Sequence, residues 1–291
     1  MTLSTATTRF LRHLEANGCS RHTVRSYRCD LAKLGRFVGE RKPVRSITAH
    51  DLARFLTSDV ATRTASNQPK GPGTMNRMRS VLRSFFRFLV ETGAVTRNPA
   101  ASLRANGYRK PVPQTLSDRD QRRLLKTLEC SDDPLACRDL AIVELLLATG
   151  VRLSEAAALD VDDIDLRSGT MTIHVKSGGE QSRYLPRRLR RVLREYMRWR
   201  ELDADALFVT RHGTRIGARH VHRRFRMWCE RAGIDKPVSP HSLRHTLAVK
   251  FLDRTGNLRL VQQALGHRSI TSTIRYTAVT NGALARALEA V

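Results

Sequence analysis

The chain reads as mainly α-helical with one small β-sheet or hairpin, divided between an N-terminal helical bundle and a second domain that carries the hairpin. Three observations predict this. Apolar residues recur at spacings of three and four through the first hundred positions, a Gly- and Pro-bearing stretch without that spacing follows, and the helical pattern then resumes around one strictly alternating run near residues 169–176. The expected division is a bundle over 1–104, a linker over 105–116 and a second domain over 117–291. At 291 residues and 41% hydrophobic content, the chain is long enough and apolar enough to bury a core in each half.

The first helix is expected over 5–15, stopped by Asn17-Gly18. Ser20 then caps a second helix in which Val24, Tyr27, Leu31, Leu34 and Val38 recur at spacings of 3, 4, 3 and 4. A short helix follows Thr48, over 51–59, and a loop bearing Gly, Pro, Asn and Gln runs on through Gly73. The helix expected over 74–92 lines up Met75, Met78, Leu82, Phe85 and Leu89 on one face and Arg79, Arg83 and Arg87 at i, i+4 on another. No acidic residue interrupts that basic row. Arginine rows on helices are usually solvated faces, but in so basic a half this one is a candidate for contact with a nucleic-acid backbone, with Arg21, Arg25 and Arg28 as the further candidates. The linker carries Gly107, Pro111 and Pro113, and its Arg109 and Lys110 are placed to meet phosphates.

In the second domain, Ser117 is an N-cap candidate, and Asp118 and Asp120 suit the positive end of the helix it begins. Residues 139–148 form a strongly apolar helix that belongs in the core. Gly150 breaks it and a helix restarts over 153–159, so Arg152 stands at a junction from which a side chain can be aimed into a cleft. The plainer reading pairs Arg152 with Glu155 at i, i+3, worth only about 0.2–0.5 kcal/mol. In the alternating run, Met171, Ile173 and Val175 fall on one face and Thr170, Thr172, His174 and Lys176 on the other. Ser177-Gly178-Gly179 is turn material, and residues 183–186 return as the partner strand. A basic amphipathic helix follows over 185–199, then a short strand over 206–210. Residues 215–231 gather His220, His222, Arg223, Arg224 and Arg226 around Phe225 and Trp228, for helix packing and backbone contact. His174, His212, His220 and His222 are read as non-catalytic.

Charge narrows the partner. Lys plus Arg number 52 against 27 Asp plus Glu, a net of +25, and the pI near 11.3 calls for a polyanion. Nineteen basic against six acidic residues up to Arg104 give the first half +13, leaving +12 for the longer remainder. No run approaches the ~18 apolar residues of a spanning helix and no signal peptide precedes the polar start, so nucleic acid is expected over a membrane surface. Five cysteines, odd in number and without close pairing, argue against a disulfide framework or zinc knuckle and for a reducing cytoplasm.

The chemistry concentrates in Pro240-His241-Ser242-Leu243-Arg244-His245, followed by Leu265-Gly266-His267 and Tyr276. A hydroxyl nucleophile, a guanidinium fork and single-proton donors suit phosphoryl transfer, where charge growing on non-bridging oxygens must be met by preplaced donors. Tyr276 by itself would be an ordinary packing residue. His241 and His245 at i, i+4 could instead be zinc ligands, but zinc needs a third ligand and usually an acid, and Arg244 puts a cation between them. From Pro240 to Tyr276 the only acidic residue is Asp253.

The ordered set Arg152, Lys176, His241-x-x-Arg244, His267, Tyr276 resembles the signature of the tyrosine recombinase (phage integrase) superfamily. Ala148-Thr149-Gly150-Val151-Arg152-Leu153-Ser154-Glu155 is similar to its first arginine box, and Leu265-Gly266-His267-Arg268-Ser269-Ile270-Thr271-Ser272-Thr273-Ile274-Arg275-Tyr276-Thr277 to its Leu-Gly-His to Tyr-Thr segment. The likeness runs through essentially the whole chain and is greatest to two-domain Xer-type members. It implies a SAM-like core-binding bundle clamping DNA and a tyrosine recombinase catalytic domain. It implies cleavage without metal or nucleotide cofactor, with Tyr276 as nucleophile forming a 3′-phosphotyrosyl link, Arg152 and Arg244 on the non-bridging oxygens, Lys176 protonating the leaving oxygen, His241 assisting proton transfer and His267 hydrogen-bonding the phosphate. The implied partners are duplex DNA with an inverted-repeat core site and further recombinase copies in a homotetramer, or a heterotetramer with a second recombinase. Two departures stand: the hairpin reads Val175-Lys176-Ser177-Gly178-Gly179-Glu180 where the family often has Gly-Lys-Gly, and fifteen residues follow Tyr276, which is expected to limit a C-terminal arm. A type IB topoisomerase uses nearly the same groups, and a non-catalytic DNA-binding protein could keep the same fold. A nicked suicide substrate distinguishes these three.

Overall fold

The computed structural model of the chain describes residues 1–107, 112–174, 179–200, 204–266, 270–274, 276 and 277. The chain divides into two compact units, Met1–Lys110 and Pro111–Val291.

The first unit is a helical bundle of α1 (Leu3–Ala16), α2 (Arg21–Val38), α3 (Ala49–Thr57), the single turn α4 (Asp59–Thr62) and α5 (Pro72–Glu91), with a 3-10 turn at Val44–Ser46. Local chemistry sets the starts: the Ser20 hydroxyl accepts from the Thr23 N–H, and Thr48 and Asp51 cap α3 reciprocally. Phe10, Leu31, Leu34, Phe85, Phe86 and Leu89 are almost fully buried in one core, where Phe10 meets Phe85 edge-on at 5.5 Å. Buried with them on α2 is Asp30, 1% exposed, whose carboxylate accepts from Arg77 of α5 at 2.6 Å. This ion pair ties two core helices through a residue that apolar spacing passes over.

The second unit is built on α7 (Ala136–Thr149), which packs against α6 (Asp118–Glu129), α9 (Arg187–Trp199), α10 (Ala218–Arg231) and α11 (Pro240–Thr255). Ser117 and Asp120 form the cap of α6, and Lys236 and Ser117 hold the Asp120 carboxyl down at about 2. The short pieces α8 (Leu153–Ala156), α12 (Leu258–Leu265) and α13 (Thr271–Ile274) complete the helices. One antiparallel sheet runs β1 (Ile164–Asp165), β2 (Thr170–His174), β3 (Glu180–Tyr184), with Ile164 opposite Met171 and His174 opposite Glu180.

Three expectations are corrected and one element is added. The helix expected over 153–159 is a single turn, and the strand expected over 206–210 exists only as isolated bridges, Asp160 to Ala206 and Val209 to Arg215. The return strand begins at Glu180 rather than 183. The sheet also gains β1, which has no sequence signature because two residues are too short to show a period. Residues 175–178, with Lys176, lie outside the described residues, as do Arg109 and Lys110 of the linker.

At the centre of this unit is a buried polar knot. Asp139 is 4% exposed and accepts from Arg138 Nη2 at 2.6 Å, from Arg224 Nε at 2.6 Å and from the indole N–H of Trp228 at 2.8 Å. Arg138 is itself 1% exposed and donates to the Val209 carbonyl at 2.9 Å. Removing the shared carboxylate would strand a buried guanidinium, which is far costlier than losing one hydrogen bond. Asp139→Ala is therefore expected to destabilise the second unit by about 3–5 kcal/mol, read as a lowered urea midpoint for that unit; a midpoint within error of the parent would show that the knot is dispensable.

Candidate active site

The site is assembled from helix ends. The last turn of α7 closes on Gly150, whose left-handed backbone (φ 60) turns the chain so that Arg152 becomes the N-cap residue of α8. The Thr149 hydroxyl steadies the turn by donating to the Leu145 carbonyl at 2.6 Å. α11 starts at Pro240 after Ser239, whose backbone N–H donates to the Ser242 hydroxyl at 3.1 Å, so His241, Arg244 and His245 occupy its first two turns. α12 ends at Leu265 on a second left-handed glycine, Gly266 (φ 63).

Arg244 joins these ends. It is 2% exposed and donates through Nη1 to the Gly150 carbonyl and through Nη2 to the Leu265 carbonyl at 2.8 Å. Burial, then the neighbouring Arg152, lower its pKa to about 10, while Tyr276 and Glu155 act in the opposite direction. Arg152 is half-exposed and donates to the Glu155 carboxylate at 2.6 Å, and that carboxylate also accepts from the Arg152 backbone N–H at 2.9 Å. The plain i, i+3 pairing is thus present, and it fixes the arginine at the junction.

Tyr276 is buried, 1% exposed, its ring packed with Ala248, Leu252, Val261 and Leu265. Its hydroxyl lies 2.9 Å from Nδ1 of His245, which is 7% exposed. His241, exposed at the start of α11, meets the His245 ring edge-on at 4.4 Å. The structure therefore brings Arg152, His241, Arg244 and Tyr276 of the expected set into one neighbourhood. Lys176 and His267 lie outside the described residues.

Two further residues join the site without having been singled out for it by their sequence context. His245 stands in the stretch where the chemistry concentrates but outside the expected set, and its spacing from His241 also suggests a zinc ligand; among the described residues no group of three or more His, Cys, Asp or Glu side chains is placed to hold a metal ion. Arg183 reads in sequence only as part of a return strand. It donates to the Gln263 carbonyl at 3.0 Å and to Gln181 Oε1 at 3.1 Å, and burial, modulated by Glu155 and Arg152, lowers its pKa. The signal for Arg183 is the alternation of β3, which turns Gln181 and Arg183 inward and leaves Glu180, Ser182 and Tyr184 exposed. The other expected non-catalytic histidines stand apart; His174, for example, pairs with Asp163 at 2.8 Å.

A helical bundle followed by a mostly helical unit with one three-stranded sheet, and arginines converging on a tyrosine, define a class. The phage integrase family model matches residues 114–282 and the phage integrase N-terminal SAM-like domain matches residues 7–93, so the chain belongs to the phage integrase family. It is 35% identical over 284 residues to tyrosine recombinase XerC of Alcanivorax borkumensis, covering 95% of this chain and 89% of that one. Its fold is similar to that of XerH site-specific recombinase bound to palindromic difH substrate, with TM-score 0.81, 19% identity and 98% and 95% of the two chains covered. It is also similar to lambda integrase, seen as a tetramer bound to a Holliday junction, with TM-score 0.75, 19% identity and 95% and 77% covered. The chain is a tyrosine recombinase.

Gly150 is a tight joint of the site. A Cβ there would lie 2.7 Å from Leu265 Cδ2 and 2.9 Å from Leu247 Cδ2, on a backbone that L side chains avoid. Gly150→Ala is expected to cost about 1–2 kcal/mol and, by shifting the acceptor of Arg244, to slow covalent cleavage of a nicked duplex about tenfold or more. Cleavage at the parental rate would mean that Arg244 does not depend on this turn.

Proposed function

We propose that the chain cuts and rejoins duplex DNA by transesterification, with Tyr276 attacking the scissile phosphate to form a 3′-phosphotyrosyl link and release a 5′-hydroxyl that attacks the partner strand. The observation that carries this reading is the convergence of Arg244, Arg152 and the Tyr276 hydroxyl at one group of helix ends. Arg244 has already been desolvated, so a phosphodiester arriving there meets a cation whose field is little weakened by water. Arg152 and Arg244 hold the non-bridging oxygens, Lys176 protonates the leaving 5′-oxygen, His241 assists proton transfer and His267 hydrogen-bonds the phosphate. Side chains then supply the charge neutralisation that a metal pair gives other phosphoryl-transfer sites, and no cofactor is required.

The domain roles follow the same reading. Residues 1–104 form the core-binding bundle, 105–116 the linker and 117–291 the catalytic domain. The partner is duplex DNA with an inverted-repeat core site, bound by four recombinase copies of this chain or of this chain and a second recombinase. No described helix is long and apolar enough to cross a membrane, and the place of action is the cytoplasm, where DNA is.

Tyr276→Phe is expected to retain DNA binding and lose the protein–DNA adduct on denaturing gels. The parent should form that adduct in excess EDTA. An adduct from the Phe variant would remove Tyr276 as nucleophile, and loss in EDTA restored by a divalent cation would overturn the metal-free mechanism.

Arg79, Arg83 and Arg87 of α5 are proposed to grip the backbone. Arg83 and Arg87 line, with Tyr27, Ser80, Ser84 and Asn98, a cavity of about 480 Å³ that offers a phosphate several donors. Arg79 is braced by Asn76 at 3.2 Å, whereas Arg87 is only loosely paired with Glu91 at 4.0 Å. Arg21, Arg25 and Arg28 line a second concavity on α2, where Arg28 lies 3.9 Å from Glu15. Each Arg→Ala change in the α5 row is expected to flatten the log K against log salt slope by about 0.9 for every DNA phosphate that the variant no longer neutralises, with cleavage at saturating protein unchanged. An unchanged slope in the triple variant would make the row a solvated face.

A further inference from the structure

We propose that His245 is the general base that takes the phenolic proton of Tyr276 during cleavage and returns it during ligation. The proposal rests on Tyr276 being the nucleophile.

The geometry already places Nδ1 of His245 at 2.9 Å from the reacting oxygen, with both side chains almost wholly out of water. An aryl ring locked by Leu252, Val261 and Leu265 has little freedom to present its hydroxyl elsewhere while that packing holds. We assign the other ring proton to Nε2, which leaves a lone pair on Nδ1 facing the hydroxyl. His245 also follows Arg244 directly, so one helical turn fixes the proton acceptor and the phosphate-binding cation together.

A phenol titrates near 10 and an imidazole near 6.5 in water, so complete proton transfer ahead of bond formation would be uphill between such groups. The proton moves as the bond to phosphorus forms, which is general-base catalysis. In cleavage the Tyr276 oxygen bonds to phosphorus, its proton goes to Nδ1 to give an imidazolium, and the P–O5′ bond breaks as the 5′-oxygen takes a proton from its own donor. Ligation reverses each movement, and the imidazolium returns its proton to the departing tyrosine oxygen. Arg244, Arg152 and Arg183 would oppose an imidazolium here. The extra negative charge of the pentacovalent phosphorus offsets them in the transition state, so proton transfer and bond formation are coupled. His241, exposed and 4.4 Å away ring to ring, then exchanges protons with solvent at the outer end of the pair.

A contact of the same length could instead restrain the tyrosine in a resting pose, and the two roles have opposite signs. His245→Ala and His245→Asn are compared with the parent in single-turnover adduct formation on a nicked duplex, after mobility-shift binding has shown that each variant folds. Asn keeps an acceptor for the hydroxyl but no basicity. The base role requires both variants to slow by about 10² or more, and added imidazole to restore part of the rate of the Ala variant. Because the defect lies in the attacking oxygen, a substrate with sulfur at the 5′-bridging position, whose leaving group needs no proton, should leave it uncorrected. A parental rate in the Ala variant would rule out the base, a faster rate would establish a restraint in its place, and full rate in the Asn variant would reduce His245 to a positioning residue. Tyr276→Phe is run alongside: an adduct there sinks the nucleophile assignment itself, whereas loss there with a normal His245→Ala rate sinks only the base.

Discussion

The site depends on one guanidinium serving two helix ends. Arg244 donates to the carbonyl of Gly150, just past α7, and to that of Leu265, the last residue of α12. These are carbonyls with no partner further along their own helices, at the negative end of each helix dipole. A buried cation needs such acceptors, and two helix ends need such a donor. Burial disfavours the charged form of Arg244 and lowers its pKa, a cost that falls on folding. The arginine is thereby fixed by the fold itself, and in the proposed function this is the electrostatic preorganisation that a phosphate site requires.

The two glycines belong to that arrangement. Gly150 and Gly266 both adopt left-handed backbone at the helix ends that Arg244 serves, and a Cβ on either would enter occupied space: the leucine tips at Gly150, the Arg183 guanidinium and Gln181 amide at Gly266. The carbonyls can approach Arg244 and Arg183 only because the following turns carry no side chain. Arg183 reaches the same end of α12 from β3 through Gln263, so arginines from the sheet and from α11 grip one helix terminus.

What is legible in the sequence is local. Ser20, Thr48 and Ser117 act as caps where short-range hydrogen bonding predicts, and the alternation of Met171 and Ile173 marks β2, because each of these depends on neighbours within a few positions. Arg152, His241, Arg244 and Tyr276 are recognisable as an ordered set before any of them is placed. The misses are long-range. Asp139 stands in a helix that reads as apolar core, yet it is the acceptor for Arg138, Arg224 and Trp228, and nothing in the spacing of residues 138, 139, 224 and 228 announces that meeting. β1 exists only because Ile164 finds Met171, and residues 206–210 form single bridges instead of a ladder. His245 is visible as a histidine, but its partner is 31 positions away.

The same long-range assembly decides how the site can handle charge. Arg152, Arg183 and Arg244 influence one another, and Glu155 is the carboxylate that acts on both the half-buried Arg183 and the buried Arg244, raising what the other arginines lower. Among the described residues, one carboxylate against three guanidinia leaves an excess of positive charge, suited to a phosphodiester and better suited to the more highly charged transition state. Glu155 spends its two oxygens on the side chain and backbone of Arg152, so it orients a cation instead of standing open to a metal. Arg152 is also the more exposed of the pair that would hold phosphate, with Arg244 sealed beneath it. In the proposed function an incoming phosphate would compete with Glu155 for Arg152 at modest cost, while Arg244 would keep its carbonyl bonds and meet a non-bridging oxygen with its remaining N–H groups. The more exposed arginine is the one held by a carboxylate and the buried one is held by carbonyls, an order that in the proposed function would let DNA enter without dismantling the helix ends that position the tyrosine.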